Sequence, residues 1–369
     1  MNLKLHNLLA FNHFEVNFSY PKKIVDSYIE NEHLKDHPNF RYRKVNIVMG
    51  ANASGKTSLG RMIMNAVAFI NTKRFECLTD CVNDTEKEAN LSMDFIGNGE
   101  VMYNMAVAIS PMSGEKYTAD CIKVSVAKAK ITTRDSYETC KERINSMETV
   151  PDSNYSLALD SIESLTCCFQ YPVDAGGEYR LRDVKNPVLY STVMQKVLKA
   201  LDPAIDKVDI LTEVDNSFVI RMGNRSFILK DGELTNKTFL SSGTKAGIAV
   251  ADILYSIKQE CRGLYYCDEK FSYINSEMEK ATVSVMIDSL GENEQLFFTT
   301  HNTDMLDLPL PKHAFLFMKK DINNIELPIT CVSATRYLKR NTDSVRKAVE
   351  NDLFSVSPST DLIFEIGEI

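Results

Sequence analysis

Val45-Asn46-Ile47-Val48-Met49-Gly50-Ala51-Asn52-Ala53-Ser54-Gly55-Lys56-Thr57-Ser58 is the stretch on which the reading of the fold turns. Val45, Ile47, Val48 and Met49 make a short apolar run of the kind a buried strand needs, and Gly50-x4-Gly55-Lys56-Thr57 follows without a gap. Glycines at both ends of the loop let the backbone curl so that successive N–H groups point inward as an anion nest. Lys56 adds a point charge, and Thr57 offers a hydroxyl to Mg²⁺. A helix expected from Ser58 to about Asn71 aims the positive end of its dipole at the phosphates of a nucleoside triphosphate. Leu59, Ile63, Ala66, Val67 and Ile70 recur at the helical spacing this requires. An ordinary strand-turn-helix without a ligand is the competing reading, and the placement of the glycines between strand and helix argues against it.

At 369 residues the chain is long enough for one large domain or two closely joined lobes with a core of their own. Its net charge of −8 argues against a whole-molecule field that attracts nucleic acid and leaves a local basic face open. The N-terminal apolar run is interrupted by Asn12, His13 and Glu15, so no signal peptide is expected. With no secretory context, the nine cysteines are expected to be reduced and the protein cytoplasmic. Cys77 and Cys81, and the adjacent Cys167 and Cys168, match no zinc spacing and read as core or surface thiols. No apolar run reaches bilayer length, so no membrane partner is expected.

Outward from the loop, residues 3–20 alternate partially and predict two antiparallel strands, and residues 21–44 form a charged insert with the basic trio Arg41, Arg43 and Lys44. Residues 76–90 read as a loop. Strands at 91–95 and 101–110 flank Gly97-Asn98-Gly99 as a hairpin, with a further strand at 121–127. Residues 133–164 read as a mostly α accessory part, and a helix over 193–201 ends at Asp202-Pro203. Phe218–Met222 and Arg225–Leu229 flank Gly223-Asn224 as another hairpin.

Three later segments specify the engine. Phe239-Leu240-Ser241-Ser242-Gly243-Thr244-Lys245 precedes a helical pattern and is either a set of donors for an anion presented from outside or an ordinary N-cap. Leu264-Tyr265-Tyr266-Cys267-Asp268-Glu269 is an apolar run ending in two carboxylates, which a buried strand would deliver at its C-terminal end. There Asp268 would hold the Mg²⁺ shell and Glu269 would polarise the attacking water, the alternative being a helix N-cap. Gln295-Leu296-Phe297-Phe298-Thr299-Thr300-His301-Asn302 is another strand with a polar end, where His301 could bond the γ-phosphate or the water.

These motifs, in this order, resemble the compact ATP-binding-cassette ATPases related to RecF and SMC heads, often called AAA family ATPases. Within that group the chain looks like the stand-alone bacterial and phage-defence ATPases, which include AriA of the PARIS system. The resemblance spans residues 45–302. It implies that Gly50, Asn52, Ala53, Ser54, Gly55, Lys56, Thr57 and Ser58 are the Walker A loop, with Asp268 as Walker B and Glu269 as the catalytic glutamate. Ser241, Ser242 and Gly243 then match the signature that reaches into a second subunit's site, and His301 matches the switch histidine. Gln170 is the candidate Q-loop residue by position. Thr244 and Lys270 depart from residues common in the family.

The expected fold is α/β, a P-loop NTPase of ABC type, with a mixed sheet, an N-terminal antiparallel β part and an inserted α/β lobe. The expected division is 1–75 for the β part and Walker A, 76–189 for the lobe, 190–335 for signature, Walker B and switch, and 336–369 for a tail. The expected function is Mg²⁺-dependent ATP binding and hydrolysis used as an assembly switch or sensor in a bacterial anti-phage defence complex. The resemblance implies a homodimer or higher homo-oligomer through the nucleotide sites. With few residues after Phe354, any nuclease or toxin activity is expected to come from a separate effector protein. The alternative is a RecF- or SMC-like DNA-binding ATPase in repair, with Arg336, Lys339, Arg340, Arg346 and Lys347 as its basic face.

Overall fold

In the computed structural model, Val45–Met49 is a strand buried at every residue. The residues described are 2–25, 27–97, 100–147, 154–170, 184–235, 240–259, 263–269, 271, 274–321, 323–340, 342–354 and 361–367. The chain divides into two units, Met1–Leu165 with Thr299–Ile369, and Thr166–Phe298.

In the first unit, Val45–Met49 lies parallel to Phe315–Lys320, with Phe315 opposite Ile47 and Phe317 opposite Met49. Phe315–Lys320 pairs in turn with Ile329–Ser333, antiparallel. Burial of all of its side chains explains why Val45–Met49 is apolar at every position but Asn46, itself buried, rather than alternating. The helix after the loop is Lys56–Thr72, two residues earlier at its start than expected, and buries Leu59, Ile63, Ala66, Val67 and Ile70. It stops at Lys73, which adopts a left-handed φ of 58° and donates its N–H to the Phe69 carbonyl.

The same unit carries an antiparallel sheet in the order Phe14–Asn17, Asn2–His6, Ala89–Ile96, Val101–Ile109, Ile122–Lys130. Leu3 and Leu5 are buried while Lys4 is exposed, and Phe14 and Val16 are buried while Glu15 and Asn17 are exposed, so one face makes core. The register sets Leu3 opposite both Val16 and Met93. The expected hairpin is present as the Ala89–Ile96 and Val101–Ile109 pair, its tip at residues 98–99 lying outside the described residues. The 76–90 loop differs from expectation: buried Leu78 anchors a short helix, Glu76–Thr79, and the sheet already begins at Ala89.

The charged insert is also more ordered than its composition suggests. His33–Leu34 and His37–Arg41 form a small ladder whose Leu34 and Phe40 join Tyr42, Met102, Tyr137 and Ile144 in one apolar cluster. Tyr137 belongs to the helix Tyr137–Asn145, opened by a reciprocal cap between Ser136 and Thr139. A second short helix, Tyr155–Asp160, completes the expected α part.

In the second unit, Leu264–Asp268 is fully buried and parallel to Cys167–Gln170, with Tyr265 opposite Cys168 and Cys267 opposite Gln170. Cys167–Gln170 falls inside the stretch 76–189 expected as an inserted lobe, yet pairs with the strand that carries the acids. On the other side of Leu264–Asp268 run residues 295–298, the part of the buried strand Gln295–Thr300 that belongs to this unit. Helices Pro187–Leu201 and Ser242–Lys258 pack at Gly247, where a Cβ would stand 2.6 Å from Leu201 Cδ1. Between them the Tyr190 hydroxyl donates to Asp252 Oδ1 at 2.7 Å. An antiparallel meander of Lys207–Ile210, Ser217–Met222, Arg225–Lys230 and Glu233–Leu234 contains the second expected hairpin.

Candidate functional site

The phosphate loop is built within the first unit. Gly50 leaves its strand so close to Phe315–Lys320 that a Cβ would overlap the Met318 carbonyl oxygen and stand 2.6 Å from Ser54 Oγ, so no larger residue fits. Ala53 and Gly55 both take left-handed conformations, with φ of 61° and 100°. Left-handed residues interleaved with right-handed ones turn consecutive amides the same way, which is how a backbone makes a nest for an anion.

Three features at the helix start fit a phosphate. The helix opens at Gly55 with no side-chain cap and no acidic residue in its first turn, which leaves its positive end facing the loop. Ser54 is buried, and its hydroxyl has no hydrogen-bond partner among the described residues. Such a group costs stability that an anionic oxygen would restore. Lys56 is 4% exposed and donates its Nζ to the Gly50 carbonyl at 2.7 Å and the Ala51 carbonyl at 3.1 Å, which holds the ammonium on the loop. Asn52 and Ala53 are exposed, and Thr57 and Ser58 are half-buried.

His301 also lies in the first unit and is exposed. Its neighbours are fixed: Thr300 Oγ1 accepts from the Asn302 amide at 3.0 Å, and Asn302 Oδ1 accepts from the Asp304 amide at 3.0 Å, capping the turn Thr303–Asp307.

The acids belong to the second unit. Asp268 ends its strand fully buried, and Glu269 follows half-buried with a φ of 42°. A left-handed conformation costs an L-residue about 1–2 kcal/mol, and strain of this kind concentrates at functional positions. Gln170, buried and opposite Cys267, stands one register step from Asp268 on the neighbouring strand. Sequence position alone suggested Gln170, and the parallel pairing that puts it beside the acids has no local signature. The oxygen donors expected for Mg²⁺, the Thr57 hydroxyl and the Asp268 carboxylate, are of the type that hard cation prefers. Among the described residues no group of three or more His, Cys, Asp and Glu could hold a metal by itself.

Ser241 is an N-cap. Its hydroxyl accepts from the Thr244 amide at 3.0 Å, and Thr244 Oγ1 donates to Asp202 Oδ2 at 3.3 Å. Ser242 is exposed and Gly243 half-buried. Asp202, read in the sequence only as part of a helix stop, is thus the anchor of this turn.

The basic tail is partly neutralised. Arg346 forks onto Asp307, Nε to Oδ1 and Nη2 to Oδ2, both at 2.6 Å, and also donates to the Thr303 carbonyl. Arg336, Lys339, Arg340 and Lys347 are exposed. Among the described residues no helix is long and apolar enough to cross a membrane.

Neither a protein-family model nor a curated protein matches the chain. Solved structures do. An Smc head bound to the C-winged helix domain of ScpA matches with a TM-score of 0.51 over 91% of this chain and 99% of that one, at 13% identity. An Smc head domain with an extended coiled coil, bound to the C-terminal domain of ScpA and derived from Pyrococcus furiosus, matches with a TM-score of 0.51 over 95% and 98%, at 10% identity. The fold is therefore that of SMC head domains, in a mixed α/β chain with several sheets.

Proposed function

We propose that this protein is an ABC-type ATPase that binds ATP with Mg²⁺ at Gly50–Ser58 and hydrolyses it. The observation that carries the reading is the loop itself: a buried strand, two left-handed residues, an uncapped helix start and Lys56 held across the turn. Bound Mg²⁺ would polarise the phosphate oxygens. In this reading Thr57 and Asp268 hold the ion, Glu269 takes the proton of the attacking water, and His301 senses the terminal phosphate. Ser54 gives its buried hydroxyl to a phosphate oxygen.

The product of the cycle is a change of assembly. Ser242 and Gly243, with the amides at the start of Ser242–Lys258, would bind the phosphate held by a second copy, so ATP draws two copies together and hydrolysis releases them. The setting we favour is a bacterial anti-phage defence complex in which this switch governs a separate effector protein, a reading that rests on the motif resemblance. The Smc heads above are bound to domains of ScpA, which supports a protein partner for this chain too. The DNA-binding reading keeps exposed Arg336, Lys339, Arg340 and Lys347 but loses Arg346 to Asp307.

Phosphate release from ATP tests the central claim. Hydrolysis that needs Mg²⁺ and disappears in Lys56→Ala is the expected result. No ATP binding by calorimetry in the unsubstituted chain would overturn it.

A further inference from the structure

Val45–Met49 has two poles. Its C-terminal end feeds the phosphate loop, and its N-terminal end follows Arg43, seven residues before Gly50, or roughly 20 Å away at about 3.3 Å per residue. At this far pole the first unit holds a cavity of about 330 Å³ lined in part by Tyr20, Lys22, Arg43, Cys331, Arg336 and Lys339.

Arg43 is its floor, 9% exposed. Its backbone N–H donates to the Phe18 carbonyl at 2.8 Å, and the Tyr20 N–H donates to the Arg41 carbonyl at 3.1 Å, so the two segments are pinned side by side. The guanidinium lies 5.9 Å from the Tyr20 ring centroid, and that ring stands against His313 at 4.6 Å. Burial pulls the Arg43 guanidinium below its ordinary pKa, a desolvation cost that a bound anion would offset. Burial also raises the Tyr20 phenol and pushes the Cys331 thiol up to about 12, so neither supplies a negative charge near neutral pH.

Lys22, Arg336 and Lys339 are exposed on the rim. Two of them are held in place: Lys339 Nζ donates to the Thr335 carbonyl at 2.9 Å, and Arg336 lies 5.9 Å from the Tyr337 ring centroid. Among the described residues the lining has one carboxylate, Glu15, which is engaged by Lys4 at 3.1 Å and Asn2 Nδ2 at 3.2 Å. Four cations around one concave site, in a chain of net charge −8, form a local field that the composition alone does not provide.

We propose that this cavity binds a phosphate monoester, apart from the nucleotide loop, with Arg43 as the buried fork and Lys22, Arg336 and Lys339 closing over the anion. A monoester carries its charge at a tip that can reach the buried guanidinium, whereas a phosphodiester has a substituent on both sides and stops at the rim. The volume lies at the small end of ligand pockets, roughly 300–1,000 Å³, which suits a phosphorylated small molecule.

The test uses the full chain carrying Lys56→Ala, so that failure of the ATPase reading leaves it untouched. Calorimetric titrations are made with inorganic phosphate, adenosine 5′-monophosphate, adenosine and a short 5′-hydroxyl single-stranded DNA. The expected result is one saturable site for phosphate and the monophosphate and none for adenosine, weakened about tenfold by Arg336→Gln or Lys339→Gln. Arg43→Gln should remove it, and the exposed rim variants keep the test valid if that protein does not fold. No saturable phosphate binding, or equal binding by the rim variants, would overturn the proposal. So would binding of the DNA without the monoesters, which would make the cavity part of a nucleic-acid surface.

Discussion

The Ser241 hydroxyl accepts the Thr244 amide at 3.0 Å and lies 2.7 Å from the Thr244 hydroxyl, which in turn donates to Asp202. The residue that the resemblance assigns to a second subunit's phosphate is thus already committed to its own helix. Ser241→Ala should cost about 1 kcal/mol of stability, the usual value of an N-cap, and Ser241→Asp should retain most of it. Urea unfolding of the two variants measures this. Exposed Ser242 separates the roles: Ser242→Arg should leave the unfolding curve in place while lowering hydrolysis by blocking closure.

Lys56→Ala should keep the fold, since the loop turns at Gly50, Ala53 and Gly55 without the lysine. Nucleotide affinity should fall steeply, because the loop loses the ammonium it holds against Gly50 and Ala51. Unchanged circular dichroism with no calorimetric signal for ATP is the expected pair of results.

Glu269 carries two opposing predictions. Glu269→Gln should bind ATP and hydrolyse it about 10²–10⁴ times more slowly, because an amide cannot take the proton of the attacking water. Glu269→Gly should also lose hydrolysis yet gain about 1 kcal/mol, by relieving an L-residue held at a φ of 42°. Single-turnover kinetics and denaturant titration read the two effects separately.

Acid stability should depend on Arg143. Its guanidinium donates to Asp135 Oδ1 at 2.9 Å and Oδ2 at 2.8 Å and holds that carboxyl well below the usual carboxylate range. A depressed folded pKa stabilises fully above the unfolded value of about 3.9 and is lost as pH falls below it through the folded value. Arg143→Met should therefore move the onset of acid unfolding to higher pH. Near neutrality the loss should stay at about 1 kcal/mol or less, because the Arg143 side chain is 41% exposed. An acid titration followed by circular dichroism compares the two proteins.

Local chemistry made the loop legible in the sequence. Glycine at 50 and 55, an apolar strand before and helical spacing after are all short-range signals, and the helix Lys56–Thr72 buries each residue that its spacing marked. The hairpins around residues 97–99 and 223–224 were legible for the same reason. What the sequence hid is non-local: Cys167–Gln170 pairs in parallel with Leu264–Asp268, and nothing in either segment names the other. The insert before the loop was hidden differently, since Leu34, Phe40 and Tyr42 are spread among charges and find their partners only in Met102 and Tyr137. The strain at Glu269 also has no counterpart in residue type, because it is set by the backbone around it.

Gly50 turns against the backbone of Met318, and Gly55 faces Ile329, whose Cδ1 stands 2.8 Å from where a Cβ would be. The walls of the Gly50–Ser58 loop are therefore made by residues that leave the ribosome long after the loop itself. A nascent chain that has released every motif up to His301 still lacks Phe315–Lys320, which pairs with Val45–Met49, and Ile329–Ser333 beyond it. During synthesis the loop must wait, unfinished, for residues 315–333, and a chain stopped short of them would carry a complete set of motifs around a loop without its supporting strands.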